Sequence, residues 1–275
     1  MERQPMTPGL REAASRKLGR RPVRPLPGVP ALARYATAAP LPAPPARAEW
    51  VSAVSGWPML ANDRVGDCTL AAAGHLIQAW TTATGAARVM TDADAISAYT
   101  LIGGYRPGDP ATDIGCYETA VLGWWLTKGL AVGEGPLDLL DGFATLDPRD
   151  GRLIRQAIAL LGGVYAGLSL PLTAQDGGAW EVPASGPVGD GAPGSWGGHA
   201  VPLLGYDAEG LVCVTWGAPQ RLSWAFWETY ADEAYALLSR DFLAANGTTG
   251  SGLSWAAFAA DMEGLRARLA FPLNP

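Results

Sequence analysis

Residues 62–82 read NDRVGDCTLAAAGHLIQAWTT, and the fold is read outward from them. The polar turn NDRVGD ends in Gly66 and Asp67, and Cys68 then opens a run in which Leu70, Ala73, Ile77 and Trp80 recur at helical spacing. A helix over residues 68–82 follows, with one face to bury. A cysteine in the first turn of a helix meets unpaired amide donors and the positive end of the dipole, and both favour the thiolate, its reactive form. An inert core cysteine fits the same pattern, so the reading depends on finding a second reactive group.

The chain has two histidines. His75 comes seven residues after Cys68, about 10 Å further along the same helix, which suits packing or capping. His199 opens the strand HAVPLLGY behind GSWGGH, whose glycines let a backbone or a substrate approach closely. The turn DAEG and the stretch LVCVTWG complete a hairpin over residues 199–217. Cys68 before His199, with more than a hundred residues between them, is the arrangement of a nucleophile and a general base delivered from two lobes.

Elements on either side follow from pattern. Helices are expected over 92–104 (DADAISAYTLIGG) and 116–130 (CYETAVLGWWLTKGL), the latter with Asp113 near its start and Gly129 near its end as caps. A fourth helix over 147–162 leads into the strand VYAGLSL, residues 164–170. Residues 174–198 read as a long loop. WAFWETYADEAYALLS fits a helix by one half and a strand by the other, and SWAAFAADMEGLRARLA, residues 254–270, is a closing helix capped by Ser254.

Residues 1–49 hold ten of the 23 prolines, which fixes backbone angles and removes donors, so this stretch reads as an extended arm. It is basic, whereas the remainder carries a clear excess of Asp and Glu within a net charge of -6. An acidic body argues against nucleic-acid binding, which needs basic surface. The arm, with Arg16, Lys17, Arg20, Arg21 and Arg24, is expected to be a solvated tail or to meet an acidic protein partner or the body itself. Neither a membrane span nor a secretory leader is visible, and three widely spaced cysteines (Cys68, Cys116, Cys213) suit reduced thiols, so a cytoplasmic protein is expected. No metal or cofactor is expected. Gly189, Gly191 and Gly194 in GDGAPG fit a dinucleotide pattern formally but neither follow a strand nor precede a helix. Asn246, Gly247 and Thr248 form a glycosylation triplet without a secretory context.

At this point the sequence resembles the papain-like cysteine peptidases. WVSAVSGWPMLANDRVGDCTLAAAGH, residues 50–75, is similar to their mature N-terminus running into the nucleophile helix. GCYETAVLGWWLTKGL resembles the second-helix region, LIRQAIALLGGVYAGLSL the opening of the β-rich lobe, and GGHAVPLLGYDAEGLVCVTWG the base-bearing hairpin. The resemblance covers about residues 50–220. It implies an α+β, two-lobed fold, with a helical lobe about 50–140 carrying Cys68, a β-rich lobe about 141–240 carrying His199, and a helical extension about 241–275. It places Cys68 as nucleophile, His199 as base, and Asn62 where the family has its oxyanion glutamine. Thr215 stands in VTWG where the family has the asparagine that orients the histidine, and Trp216 keeps the tryptophan that follows. Asp207, Asp232 or Glu233 could supply the orienting group instead.

The expected function is hydrolysis of peptide or isopeptide bonds in a peptide or protein substrate through an acyl-enzyme. Against it stands a catalytically weak or inactive module of the same fold that holds a protein partner in its groove or with its arm. A third reading has the arm threaded over the cleft, since its charge is opposite to that of the body.

Overall fold

The computed structural model describes residues 16–35, 41–245 and 254–270. Helix α1, Cys68–Ala83, starts where the sequence places it, and every residue from Cys68 to Trp80 is buried. Burial on all sides, rather than along one stripe, is possible because Ala71, Ala72, Ala73 and Gly74 keep the helix thin. A Cβ on Gly74 would stand 2.9 Å from Leu60 Cδ1 and 3.0 Å from Met90 Sδ. Helix α2, Asp92–Gly103, opens with a capping box between Thr91 and Asp94 and stops at the left-handed Gly104.

Helix α3, Glu118–Thr127, is shorter than expected and is not capped by Asp113. That carboxylate is used elsewhere, accepting hydrogen bonds from the Gly66 N–H at 2.8 Å and the Tyr99 hydroxyl at 2.9 Å. Gly129, left-handed at φ 80°, does follow the end of the helix as a stop.

The second half of the chain builds an antiparallel sheet from β2 (Gly142–Leu146), β3 (Val164–Leu170), β4 (Gly197–Tyr206), β5 (Gly210–Thr215), β6 (Ala218–Ser223) and β7 (Ala231–Leu238), in the order β2-β7-β3-β4-β5-β6. A short β1, Ala48–Glu49, pairs with β4. Helix α4, Gly151–Leu161, turns Leu153, Ile154, Ala157, Ile158 and Leu161 inward. Asp150 caps its start, accepting from the Leu153 N–H.

The ambiguous aromatic stretch is both things in succession. Helix α5, Trp224–Tyr230, is capped by Ser223, and the chain passes directly from it into β7. Strands β2 and β6 have no counterpart in the sequence reading. The expected loop 174–198 yields its last two residues to β4, contains a 3-10 turn at Gly189–Gly191, and is tied to the sheet by a bridge between Trp180 and Leu222. Helices α6 (Arg240–Ala245) and α7 (Trp255–Ala270) close the chain, and Asn246 to Thr248 lie outside the described residues.

The result is a mixed α+β architecture, broadly two-lobed, with α1 to α3 on one side and the sheet on the other. Helix α1 packs against β4. That contact brings the first residue of α1 beside the first residues of β4. No helix among the described residues is long and apolar enough to cross a membrane.

Candidate functional site

Cys68 begins α1, and the backbone amide of Ala200, the residue after His199, lies near enough to its sulfur to favour the thiolate. Helix start and strand start therefore meet at these two positions. His199 is fully buried, its Nε2 lies 2.6 Å from Thr215 Oγ1, and its ring stacks on Trp216 at 4.3 Å between centroids, 14° from parallel. The hairpin explains the proximity: β4 and β5 pair side by side, so the third residue of β4 lies near the last of β5. Cys68 and His199 share no hydrogen bond, and His199 Nδ1 has no partner.

The carboxylates proposed as alternative orienting groups are engaged elsewhere. Asp207 pairs with Arg221 at 3.0 Å, and Asp232 and Glu233 both pair with Arg20. Asn62 is buried beside the site, but its Nδ2 donates to the Val65 carbonyl at 3.2 Å rather than toward Cys68. Among the described residues three non-glycine residues take left-handed backbone angles: Leu60 at 55°, Ala61 at 64° and Trp216 at 46°. They directly precede Asn62 and follow Thr215. Such conformations cost about 1–3 kcal/mol each and concentrate at functional sites.

The sequence leaves the place of the arm open between a solvated tail, a protein partner and the cleft of the body. Residues 16–21 of the arm run through that cleft, bonded to both walls, with Arg20 buried, Lys17 exposed and an isolated bridge between Arg20 and Cys116. On one wall the Lys17 N–H donates to Asn62 O (3.1 Å), the Cys116 N–H to Gly19 O (2.8 Å), and the Arg21 N–H to Cys116 O (2.9 Å). On the other, the Arg20 N–H donates to Gly198 O at 3.1 Å, and Trp216 Nε1 donates to Lys17 O at 3.1 Å. The Gly19 N–H reaches the Cys68 sulfur, and the Arg16 guanidinium lies 5.1 Å from the Trp216 ring centre.

Glycine makes the fit possible. A Cβ on Gly19 would stand 1.8 Å from the Gly66 carbonyl oxygen, one on Gly115 would stand 2.0 Å from Gly19 O, and one on Gly198 would stand 2.3 Å from Arg20 O. The Asp113 and Tyr99 pair fixes this lining, since Tyr99 also accepts a 2.7 Å hydrogen bond from the Gly115 N–H.

Electrostatics match a covered, resting site. Burial pushes the Cys68 thiol up to about 12, only partly offset by the Ala200 and Gly19 amides. Burial, reinforced by Arg20 and Arg16, brings His199 down to about 3. Both groups are neutral with the arm seated. Cys116 and Cys213 are buried free thiols as well. Among the described residues no group of three His, Cys, Asp or Glu is placed to hold a metal ion.

No protein-family model and no curated protein matches this sequence. Solved structures do match in shape. Xylellain, a cysteine protease from Xylella fastidiosa, superposes with TM-score 0.61 at 12% identity over 82% of this chain and 97% of that one. A Carica candamarcensis cysteine protease in complex with E-64 gives 0.51 at 15% identity, covering 71% and 99%. Procathepsin L 3 from the larval midgut of Tenebrio molitor gives 0.51 at 13%, covering 84% and 78%. The chain thus shares its overall fold with these cysteine proteases.

Proposed function

We propose that this chain is a papain-like thiol hydrolase acting on peptide or isopeptide bonds, with Cys68 as nucleophile and His199 as base. One observation carries the reading: a helix-start cysteine and a histidine hydrogen-bonded to a hydroxyl flank a groove that already holds an extended peptide by its backbone. In the reaction His199 takes the Cys68 proton, and the thiolate attacks the carbonyl carbon while the helix dipole favours its charge. The imidazolium then protonates the departing amine, and water, deprotonated by His199, hydrolyses the thioester. Thr215 holds the ring in place from Nε2, which leaves Nδ1 for the proton transfers. Asn62, whose amide bonds to the Val65 carbonyl and lies against the Asp67 carboxyl, would have to turn from these groups to serve the oxyanion as its side-chain donor, together with the Cys68 N–H.

The arm has to leave before any of this occurs. Gly19→Val, which cannot coexist with the Gly66 carbonyl, displaces it without altering a groove residue. In that variant, with Cys116 and Cys213 replaced, iodoacetamide should alkylate Cys68 at pH 6 at least about tenfold faster than in the parent. The rate should stay level below pH 7 and lose that plateau with His199→Ala.

A second reading, a peptide-holding module without turnover, is favoured by the missing Cys68–His199 hydrogen bond and by threonine as the orienting residue. It predicts a single rise near the free-thiol value of about 8.5, indifferent to His199→Ala, and that result would end the enzyme reading.

A further inference from the structure

Arg20 places its side chain in a pocket of three acids. The side chain is 1% exposed, with Nη1 donating to Glu233 Oε1 and Nη2 to Asp232 Oδ2, each at 2.6 Å. Consecutive residues of a strand ordinarily face opposite ways. Here the pairing of β3 with β7 runs from Gly167 opposite Glu233 to Leu168 opposite Ala231, so Asp232 is an extra, bulged residue. The bulge turns both carboxylates to the same guanidinium, one to each arm of its fork.

Both acids are also held from behind. The Ser169 hydroxyl donates to Asp232 at 2.7 Å, and the Tyr235 hydroxyl donates to Glu233 at 2.9 Å. Opposite them Gly167 leaves the room the side chain occupies: a Cβ there would stand 2.6 Å from Glu233 Cγ and 3.0 Å from both Arg20 Cδ and Nε.

The third acid is Glu118, at the start of α3 on the other side of the groove. It is 1% exposed, lies within electrostatic reach of Arg20, Asp232 and Glu233, and neither of its oxygens has a hydrogen-bond partner. Arg20 Nε is unpartnered too. Burial and the neighbouring Glu233 hold the Glu118 carboxyl toward its protonated form, so it lines the pocket, while Arg20 forms its ion pairs with Asp232 and Glu233. Such a pocket is built for a cation, and its shape is that of a guanidinium rather than a compact ammonium.

The backbone of Arg20 is held by Gly198 and Cys116, groups that would hold any extended peptide in the groove, and its neighbour Gly19 lies at the Cys68 sulfur. We infer that the Glu118, Asp232 and Glu233 pocket selects an arginine side chain in the substrate, one residue away from the residue seated over Cys68. This rests on the hydrolase reading for its consequence, but recognition of the arginine can be measured apart from it.

The test uses the full chain with Gly19→Val, so that the arm does not compete. Binding is measured by fluorescence anisotropy in the Gly19→Val, Cys68→Ser protein with the labelled peptide Lys-Leu-Gly-Arg-Arg and with versions carrying lysine, glutamine or norleucine at the fourth position. Hydrolysis is measured in Gly19→Val alone with a library scanned one position at a time. The arginine peptide should bind about tenfold or more tightly than the glutamine and norleucine peptides, and the library should show arginine enriched at one position. Glu233→Gln with Asp232→Asn should remove most of that preference. Arginine-selective binding without hydrolysis would sink the hydrolase reading and leave the pocket standing. Hydrolysis or binding indifferent to arginine at every position would overturn the pocket. If Gly19→Val does not fold, Arg20→Gln, which takes the guanidinium out of the pocket without adding a clash, carries the same comparison between peptides, with the arm's backbone as a competitor common to all of them.

Discussion

His75 and His199 are matched in almost every static respect and differ in what they can do. Both are buried, both use Nε2 in one hydrogen bond, both leave Nδ1 without a partner, and both rest against a tryptophan. His75, inside α1, bonds to the Pro58 carbonyl at 2.9 Å, which can only accept, so its proton is fixed on Nε2. His199 bonds to a hydroxyl, which can donate or accept, so its tautomer is free to change as a general base requires. Trp57 meets His75 edge-on, whereas Trp216 lies flat on His199 and shields its bond to Thr215. Burial alone does not set these two histidines apart. The versatility of His199's partner and the groove beside it do.

The largest expected separation is in turnover. In the Gly19→Val protein, His199→Ala should lower kcat/KM by about a thousandfold, while His75→Asn should leave it within a few-fold and cost stability instead, about 1–3 kcal/mol for the lost packing and hydrogen bond. Steady-state hydrolysis beside urea unfolding measures both, and equal kinetic losses would erase the contrast drawn between the two rings.

Stability against pH gives the next effect. Folding holds His75 near 4 and His199 near 3, against 6.5 for an ordinary histidine, by burial in both cases and with the Arg20 and Arg16 charges added at His199. Below 6.5 the unfolded chain therefore takes up protons that the folded chain refuses, and stability falls as pH falls toward 4. Each histidine contributes on the order of 3 kcal/mol across that window. Asp67 and Glu118, raised chiefly by burial, act in the opposite sense, so the slope is read as a difference between variants. His75→Gln should flatten it by about one proton. Gly19→Val should flatten only the share due to His199, because the arm's arginines leave with the arm.

The smallest effect separates orientation from chemistry. Thr215→Val should cost about tenfold in kcat with little change in KM, and Thr215→Asn, restoring an amide with longer reach, should match or exceed the parent. A valine variant as fast as the parent would show that Trp216 alone positions the ring.

Much of this was legible in the chain because it is encoded locally. The spacing of Leu70, Ala73, Ile77 and Trp80 marks α1 to within a residue, and VYAGLSL is β3 residue for residue. The separation of Cys68 from His199 suggests two lobes, and α1, which Cys68 begins, does pack against β4, the strand that carries His199. What stays hidden depends on partners distant in sequence. Asp232 and Glu233 read as candidates to orient His199 because nothing local announces the bulge that turns both toward Arg20. Glu118 looks like an ordinary first-turn acid until the sheet closes over it. Asp113 reads as a cap because its true acceptor role, toward the Gly66 N–H, joins two segments of one groove wall that lie 47 residues apart in sequence. The proline-rich arm has no apolar period to reveal docking, since backbone hydrogen bonds and two glycine surfaces seat it.

The arm and the groove belong to one polypeptide, and this sets the terms on which anything else can enter. A tethered ligand competes at an effective concentration in the millimolar range, however dilute the protein. A free peptide that binds the walls as well as Lys17 to Arg21 must therefore approach about millimolar levels to win half of the sites. Raising substrate is a poor way to open this groove, and severing or pulling the tether is a good one. Control over the Cys68 site then rests with whatever acts on the first twenty residues, more than with the abundance of what the groove would bind.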